Sequence, residues 1–418
     1  MSEKGQNRLL ARASQDRALK VGLICDLIEE RWPSMDLFPD MLLKVFSAEY
    51  AACIEVEQLR PALRRRFSNI PRLGRAGAFW NADRLLNRFH DYPAWLKKRA
   101  SRFDLFHLMD HSYSQLLLAL PPDTAVVTCH DLDTFNCILE PETDPRPRWF
   151  RAMAERSLNG FLRAAHVIAV SAFTRANLLR HGLFPADRIT VIPPGVDPAF
   201  FAPPQASAEA SAQDFLPRTP YLLHVGSTIR RKRIDILLRV FAQVWTRVSH
   251  QCPELKLVRV GGALTDEQRR LAAELGIANR IVEAPYLSKH QLAAVYRGAD
   301  LALQPSDAEG FGLPVIEALA CGCPVVASDI APLREAGGAA AEYCRAGDLE
   351  TWAETITRLI LERNKSPELW ELRRERARRH AAQYTWSENG KRTIGVYGSV
   401  CRDAAWAAAA TSQLTLAE

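Results

Sequence analysis

The 418-residue sequence predicts an α/β protein of two domains, each built on a parallel sheet. Three observations carry that expectation. The length exceeds what one ordinary hydrophobic core organises. From Lys20 onward short β-type runs alternate with helical patterns, the mark of parallel βα units. The alternation breaks once, at an aperiodic stretch rich in Pro, Ala and Ser between Pro193 and Pro220, and then restarts.

In the first half the predicted strands are VGLIC (21–25), LFHLM (105–109), AVVTC (125–129), HVIAV (166–170) and ITVI (189–192). Helical patterns lie between them, one of them capped by Ser171 and stopped by Gly182. In the second half the predicted strands are YLLHV, LKLVRV (255–260), RIVEA (280–284), LALQP (301–305) and PVVAS (324–328). Two helix starts there are set by capping boxes, Thr265 with Gln268 and Ser288 with Gln291, in which each side chain satisfies the other residue's free backbone donor. From Ser366 to the end the pattern is helical, with Pro367 suited to a first turn.

Composition narrows the function classes. Apolar residues make up 48% and charged residues 24%, the balance of a folded globular protein. The nine cysteines are scattered and none shows the two-residue spacing of a zinc site or redox dithiol, so they are read as reduced thiols of a cytoplasmic protein. The first twenty residues lack the apolar core of a signal peptide, and no window approaches the roughly twenty apolar residues of a spanning helix. The net charge of +6 is concentrated in part on Arg64, Arg65, Arg66, Arg72, Arg75, Lys97, Lys98 and Arg99. That run is either a solvated face or a patch that rests on anionic lipid. No nucleic-acid motif accompanies it.

The chemistry concentrates in ADLALQPSDAEGFGLPVIEALACGCPVVASD, which reads as strand, loop, helix, strand. Pro314 fits a first helical turn and Gly322 a helix stop, which predicts a helix from about Leu313 to Cys321. Gly310, Phe311 and Gly312 precede its N-terminus, where close-approaching backbone N–H groups suit a phosphate. Glu309 and Glu317 bracket it. Carboxylates accept hydrogen bonds only, so they suit the ribose and hexose hydroxyls of a sugar nucleotide. In the same half HVGSTIRRKRIDILLRVF places Arg231 and Lys232 between a strand and an amphipathic helix marked by Ile234, Leu237, Leu238, Phe241, Trp245 and Val248. Two cations beside a helix N-terminus suit an anion; the alternative is a solvated basic loop.

The string EGFGLPVIEALACGCPVVASD, with the glycine loop and basic pair of HVGSTIRRKR, strongly resembles glycosyltransferase family 4 of the GT-B fold. The resemblance implies two Rossmann-like parallel-sheet domains facing each other across a cleft, and a retaining hexosyl transfer from a nucleotide-diphosphate sugar to a glycan or lipid-linked acceptor. It implies that Glu309 lies against the transferred sugar, that Glu317 holds the ribose, and that Arg231 and Lys232 clamp the diphosphate. Gly226, Ser227, Gly310, Phe311, Gly312 and Leu313 then line the donor site through their backbone. His130, at the end of the strand AVVTC, is the expected catalytic histidine of the acceptor side, ahead of His107 and His111. Where some relatives carry an arginine after the glycine, this chain has Ser227. Its first strand leads into DLIEERWPSMD in place of a glycine-rich loop.

The expected domain plan is an acceptor-side domain over 1–200, a linker over 201–220, a donor-binding domain over 221–385, and a C-terminal helix over 386–418 packing back on the first domain. No cofactor and no metal is expected besides the sugar nucleotide as co-substrate: fixed cations take the place of a metal, and the Asp131-x-Asp133 motif is read as coincidental. The setting implied is envelope or exopolysaccharide synthesis, cytoplasmic or peripheral at the inner membrane face. The rival readings are a sugar-nucleotide epimerase or hydrolase, and a binding protein without turnover.

Overall fold

The computed structural model describes residues 18–30, 32–70 and 77–401. It divides into two compact units, one formed by the chain up to Pro194 together with the chain from Trp386 onward, the other by Gly195–Thr385. Among the described residues each unit holds one six-stranded parallel sheet. The first contains β1 (Leu19–Ile24), β2 (Ile54–Leu59), β3 (Leu105–Leu108), β4 (Ala125–Cys129), β5 (His166–Ala169) and β6 (Ile189–Val191) in the order β2-β1-β3-β4-β5-β6. The second contains β7 (Tyr221–Val225), β8 (Lys256–Val260), β9 (Ile281–Glu283), β10 (Leu301–Gln304), β11 (Val325–Ser328) and β12 (Ala341–Cys344) in the order β12-β11-β10-β7-β8-β9. Both sheets therefore reverse their strand order once, between β1 and β3 in the first and between β7 and β10 in the second.

Ten of these strands coincide with the apolar runs of the sequence. The other two, β2 and β12, are edge strands that pair with one neighbour each. A strand covered on one side only need not be apolar throughout. Thus β2 reads Ile-Glu-Val-Glu-Gln-Leu and buries only its two ends, and β12 reads Ala-Glu-Tyr-Cys.

The helix Ile234–Val248 shows how patterning becomes packing. Ile234, Leu237, Leu238, Phe241 and Val248 are buried in the core of the second unit with Leu222, Leu257, Leu303 and Trp352, and Trp245 packs against them. Each such side chain contributes roughly 2 kcal/mol of transfer free energy. In the first unit the helix Arg148–Phe161 lies so close to the turns His111–Ala119 that a Cβ on Gly160 would sit inside the Ser114 carbonyl. No side chain larger than hydrogen fits there.

The stretch expected as an aperiodic linker is structured. Ala206–Gln213 forms a helix whose Ala208 and Ala212 are buried, one turn apart. It is tied to the helix Lys289–Gly298 by Gln291 Nε2 donating to Ser211 Oγ (2.7 Å) and by Arg297 Nη2 donating to Glu209 Oε1 (2.6 Å). Alanine has the strongest helix propensity but a small apolar face, so the pattern was invisible to a search for larger side chains. Both predicted capping boxes form.

The helix Trp386–Val400 belongs to the first unit; residues 402–418 and the basic residues Arg72 and Arg75 lie outside the described residues. It packs on the helix Pro33–Glu49 through Phe38 against Trp386 (ring centroids 5.2 Å) and Phe46 against Tyr397 (6.0 Å). Its deepest polar contact is to His107 on β3, whose Nδ1 is 2.7 Å from Tyr397 Oη and whose Nε2 is 2.8 Å from Thr128 Oγ1.

Burial pushes the His107 pKa down to about 3, with His130 adding to the effect. The unfolded chain takes up a proton near pH 6.5 that the folded chain refuses until about pH 3, so this residue's contribution to stability is present above pH 6.5 and is lost progressively as pH falls through that window. His107→Gln, which keeps hydrogen bonding but does not titrate, should flatten the loss of stability between pH 6.5 and 3. Urea unfolding across that range, followed by tryptophan fluorescence, checks it.

Candidate functional site

In an open parallel sheet the loops at the carboxyl ends of two strands flanking the order reversal leave in opposite directions and open a crevice. In the second unit those are the loop after β7, Gly226–Arg233, and the loop after β10, which contains Pro305–Gly312. They are the two segments that carry the sequence motifs. The structure joins them along their length. Asp307 N–H donates to the Arg231 carbonyl (2.9 Å), Arg231 Nη1 donates to the Ala308 carbonyl (2.9 Å), and Arg233 Nη1 reaches Asp307 Oδ2 (2.8 Å).

Glu309 is the centre of this junction. Its side chain is 6% exposed, with Oε1 accepting from Lys232 Nζ (2.6 Å), Ser306 Oγ (2.7 Å) and Gln304 Nε2 (2.8 Å), and Oε2 accepting from Arg231 Nη1 (3.1 Å). Burial alone would raise its pKa; Lys232 and then Arg231 outweigh it and hold the carboxyl below the usual range. Glu309, Arg231 and Lys232 thus form one ionic unit, a contact that spacing along the chain did not reveal.

Glu317 has a different environment. It lies on the helix Leu313–Ala320, buried, with Tyr296 Oη donating to Oε2 (3.2 Å) and Lys289 Nζ 3.7 Å from Oε1. Burial raises its pKa against the opposing pull of Lys289. Between the two glutamates the chain turns through Gly312, whose φ of 117° lies in the region favouring glycine, directly before the first helical turn. First-turn amides have no acceptor within their own helix, so the backbone around Leu313 is a donor site. Phe311 is buried and edge-on to Tyr384 (5.5 Å), which anchors this turn. Ser227 is exposed beside Gly226.

At the carboxyl ends of the first sheet, His130 is buried, its Nε2 donating to the Met109 carbonyl (2.8 Å) and its ring edge-on to Phe38 (4.6 Å). Burial pushes its pKa down, against the pull of Asp110. His111 sits with Nδ1 3.5 Å from Asp110 Oδ1 and Nε2 3.5 Å from Asp131 Oδ1. Asp131 also accepts from the Asp133 N–H (3.1 Å), a local turn contact. Among the described residues no group of three or more His, Cys, Asp or Glu is arranged to hold a metal ion.

The sequence reading passed over two carboxyls at this end, Asp26 after β1 and Asp110 after β3, which flank the order reversal of the first sheet. Asp110 accepts from the Ser112 N–H (2.8 Å) and Oγ (2.6 Å), and its pKa is lowered: burial would raise it, and the adjacent His111 with the Ser112 hydrogen bonds outweighs that. Asp26 is 4% exposed, neither oxygen has a donor among the described residues, and burial with the neighbouring Asp110 raises its pKa well above the usual range. An aspartate two residues past an apolar strand run was the available signal.

The family described as "Glycosyltransferase Family 4" matches residues 44–200 and that described as "Glycosyl transferases group 1" matches residues 208–380. The chain is 36% identical over 221 residues to a D-inositol 3-phosphate glycosyltransferase of Stackebrandtia nassauensis and 34% identical over 224 residues to the protein of that name from Mycolicibacterium smegmatis. These alignments cover 51% and 52% of this chain and 49% and 48% of the relatives, so the chain spans about half the length of the curated relatives it matches. In fold it is similar to a sucrose-phosphate synthase from Thermosynechococcus elongatus (TM-score 0.68, 21% identity, 91% of this chain and 99% of that one). It is similar also to Anabaena Alr3699/HepE in complex with UDP and glucose (TM-score 0.66, 18% identity, 91% and 100%). The fold is GT-B.

Removing the shared carboxylate leaves both cations without a counter-charge. Glu309→Gln should therefore destabilise the second unit by about 3 kcal/mol. Adding Lys232→Met to that variant, which removes one of the two stranded cations, should recover part of the loss. Equilibrium urea unfolding of the two variants checks it.

Proposed function

Since this chain belongs to glycosyltransferase family 4, we propose that it transfers a hexosyl group, with retention, from a nucleoside-diphosphate sugar to a hydroxyl of a glycan or lipid-linked acceptor. The observation that carries the donor half is the Lys232–Glu309–Arg231 unit at the order reversal of the second sheet, next to the helix N-terminus at Leu313.

In this reading the anomeric C–O bond to the diphosphate breaks as the acceptor oxygen bonds to the same face of the sugar. The acceptor's proton passes to the departing diphosphate. Charge develops on that diphosphate, and Arg231, Lys232 and the Leu313 amide are donors fixed in advance for it. Without donor the two cations share the single negative charge of Glu309, which leaves the unit with one net positive charge. With donor the diphosphate competes for them, and the Glu309 carboxylate becomes an acceptor for sugar hydroxyls. Glu317, held by Tyr296, accepts from the ribose. Gly226, Ser227, Gly310, Phe311 and Gly312 contribute backbone, and His130, as a neutral imidazole, faces the acceptor side.

Arg231→Ala should lower turnover by ~10²-fold, the usual effect of deleting an electrostatic stabiliser of a leaving group. The assay is nucleotide release from a panel of uridine, guanosine and adenosine diphosphate sugars, with and without sugar and lipid-linked acceptors. Release that never depends on an acceptor would favour a hydrolase and overturn the transfer reading.

The setting we propose is envelope or exopolysaccharide synthesis at the cytoplasmic face of a membrane, with peripheral contact to anionic lipid. Among the described residues no helix is long and apolar enough to cross a membrane. The loop around Arg64–Ser68 is pinned from below: Asp83 accepts from the N–H groups of Arg66 (2.8 Å), Phe67 (3.0 Å) and Ser68 (2.9 Å), and Asn87 brackets Arg64. Arg64, Arg65 and Phe67 are thereby held outward, with Lys97 and Lys98 also exposed. Exposed cations around an apolar side chain suit an anionic lipid surface. Vesicles containing phosphatidylglycerol should retain the protein at low salt and lose it after Arg64→Glu with Arg65→Glu; equal retention of both proteins would sink this part.

A further inference from the structure

Beneath the loop after β7 lies a buried cation that the donor chemistry above does not use. β7 and β8 pair with His224 opposite Arg259. Arg259 is 1% exposed. Its Nη2 donates to the Gly226 carbonyl (2.9 Å), while Nε and Nη1 are buried and have no partner among the described residues. His224 is fully buried and neither ring nitrogen has a partner there either. Burial, then Arg259 and Lys232, push its pKa well below the usual range, so it is neutral and offers Arg259 no counter-charge.

Glu283, opposite Arg259 on β9, favours its charge from a distance but is bonded elsewhere, accepting from the Leu264 N–H (2.6 Å) and from Arg269 Nη1 (2.5 Å). Burial lowers the Arg259 pKa only to about 10, so the group is charged at neutral pH. Arg231 and Lys232 share Glu309, and Arg233 has Asp235 and Asp307. Arg259 is left as positive charge without a carboxylate of its own.

Its one hydrogen bond has a geometric consequence. In a planar trans peptide the C=O and the following N–H point in opposite directions. Arg259 draws the Gly226 carbonyl inward, so the Ser227 N–H points outward from the sheet. The peptide has little room to turn: Gly226 N–H donates to the Val260 carbonyl (2.8 Å), and a Cβ on Gly261 would lie 2.6 Å from the Gly226 oxygen.

We infer that Arg259 is a positioning residue for the anionic part of the donor, fixing the Gly226–Ser227 peptide with its N–H toward the diphosphate and supplying beneath it a positive charge that no carboxylate bonds. This rests on the donor reading above, and the test separates the two. The full chain, Arg259→Met, Arg259→Gln and Arg259→Lys are titrated calorimetrically with nucleoside diphosphate, monophosphate and nucleoside of the base the wild type selects, and with inorganic pyrophosphate.

Arg259→Met should weaken diphosphate binding at least tenfold, monophosphate binding less, and nucleoside binding not at all; Arg259→Lys should stay within about threefold of wild type. Without ligand, Arg259→Met should unfold no lower than wild type, since it removes an unpaired buried charge. Equal diphosphate affinity in Arg259→Met overturns the assignment, as does an equal loss of nucleoside and diphosphate binding, which would mark a structural role. If the methionine variant does not fold, Arg259→Gln carries the same comparison. A wild type that binds no nucleoside diphosphate overturns the donor reading, and the pyrophosphate titrations then decide the Arg259 role alone.

Discussion

The buried carboxylate of Glu309 is the constraint around which the second unit is arranged. Two loops carrying Arg230 to Arg233 and Ser306 to Gly312 meet at the carboxyl ends of β7 and β10. Without a negative charge between them, Arg231 and Lys232 would repel each other across a poorly solvated junction. With it, four donors converge on one carboxylate, and the loop after β10 is fixed where it enters the helix Leu313–Ala320. The same pairing makes the junction responsive. A diphosphate carries more negative charge than one carboxylate, so under the proposed function the pairing that joins the two loops is also one that an anion would exchange.

The two sheets carry opposite chemistry at equivalent places. At the reversal between β7 and β10 stand Arg231, Lys232 and, one strand further, Arg259. At the reversal between β1 and β3 stand Asp26 and Asp110, with His111 and His130 nearby. One end gathers cations and the other gathers carboxyls, and that difference follows from which residue types end which strands.

Legibility in the sequence tracked how far each signal was local. The helix from Ile234 and the one from Leu313 were readable because their apolar period, proline and glycine lie within one short window. The central strands were readable because burial on both faces makes them continuous apolar runs. β2 and β12 were not, since an edge position leaves polar residues in place, and the helix Ala206–Gln213 was not, since its buried face is alanine. In the site, Arg231, Lys232 and Glu309 were each legible as chemistry, but their mutual pairing spans 77 and 78 residues and depends on the strand order. Asp26 and Arg259 were missed for a related reason: each is one charged residue after or within an apolar run, and only the fold shows that it is buried without a donor or a bonded carboxylate.

The departure at Ser227 acquires a physical meaning from this arrangement. A loop with an arginine after its glycine would present a long, solvated cation that must be ordered each time an anion binds, at a side-chain entropy cost of up to about 2 kcal/mol. Serine there leaves only the backbone amide. Arg259, fixed within the sheet and bonded to the carbonyl of the same peptide, places a guanidinium on the opposite side of that amide, already ordered and already desolvated. A cation in such a place is screened less than a solvated one and needs no ordering of its side chain when an anion binds.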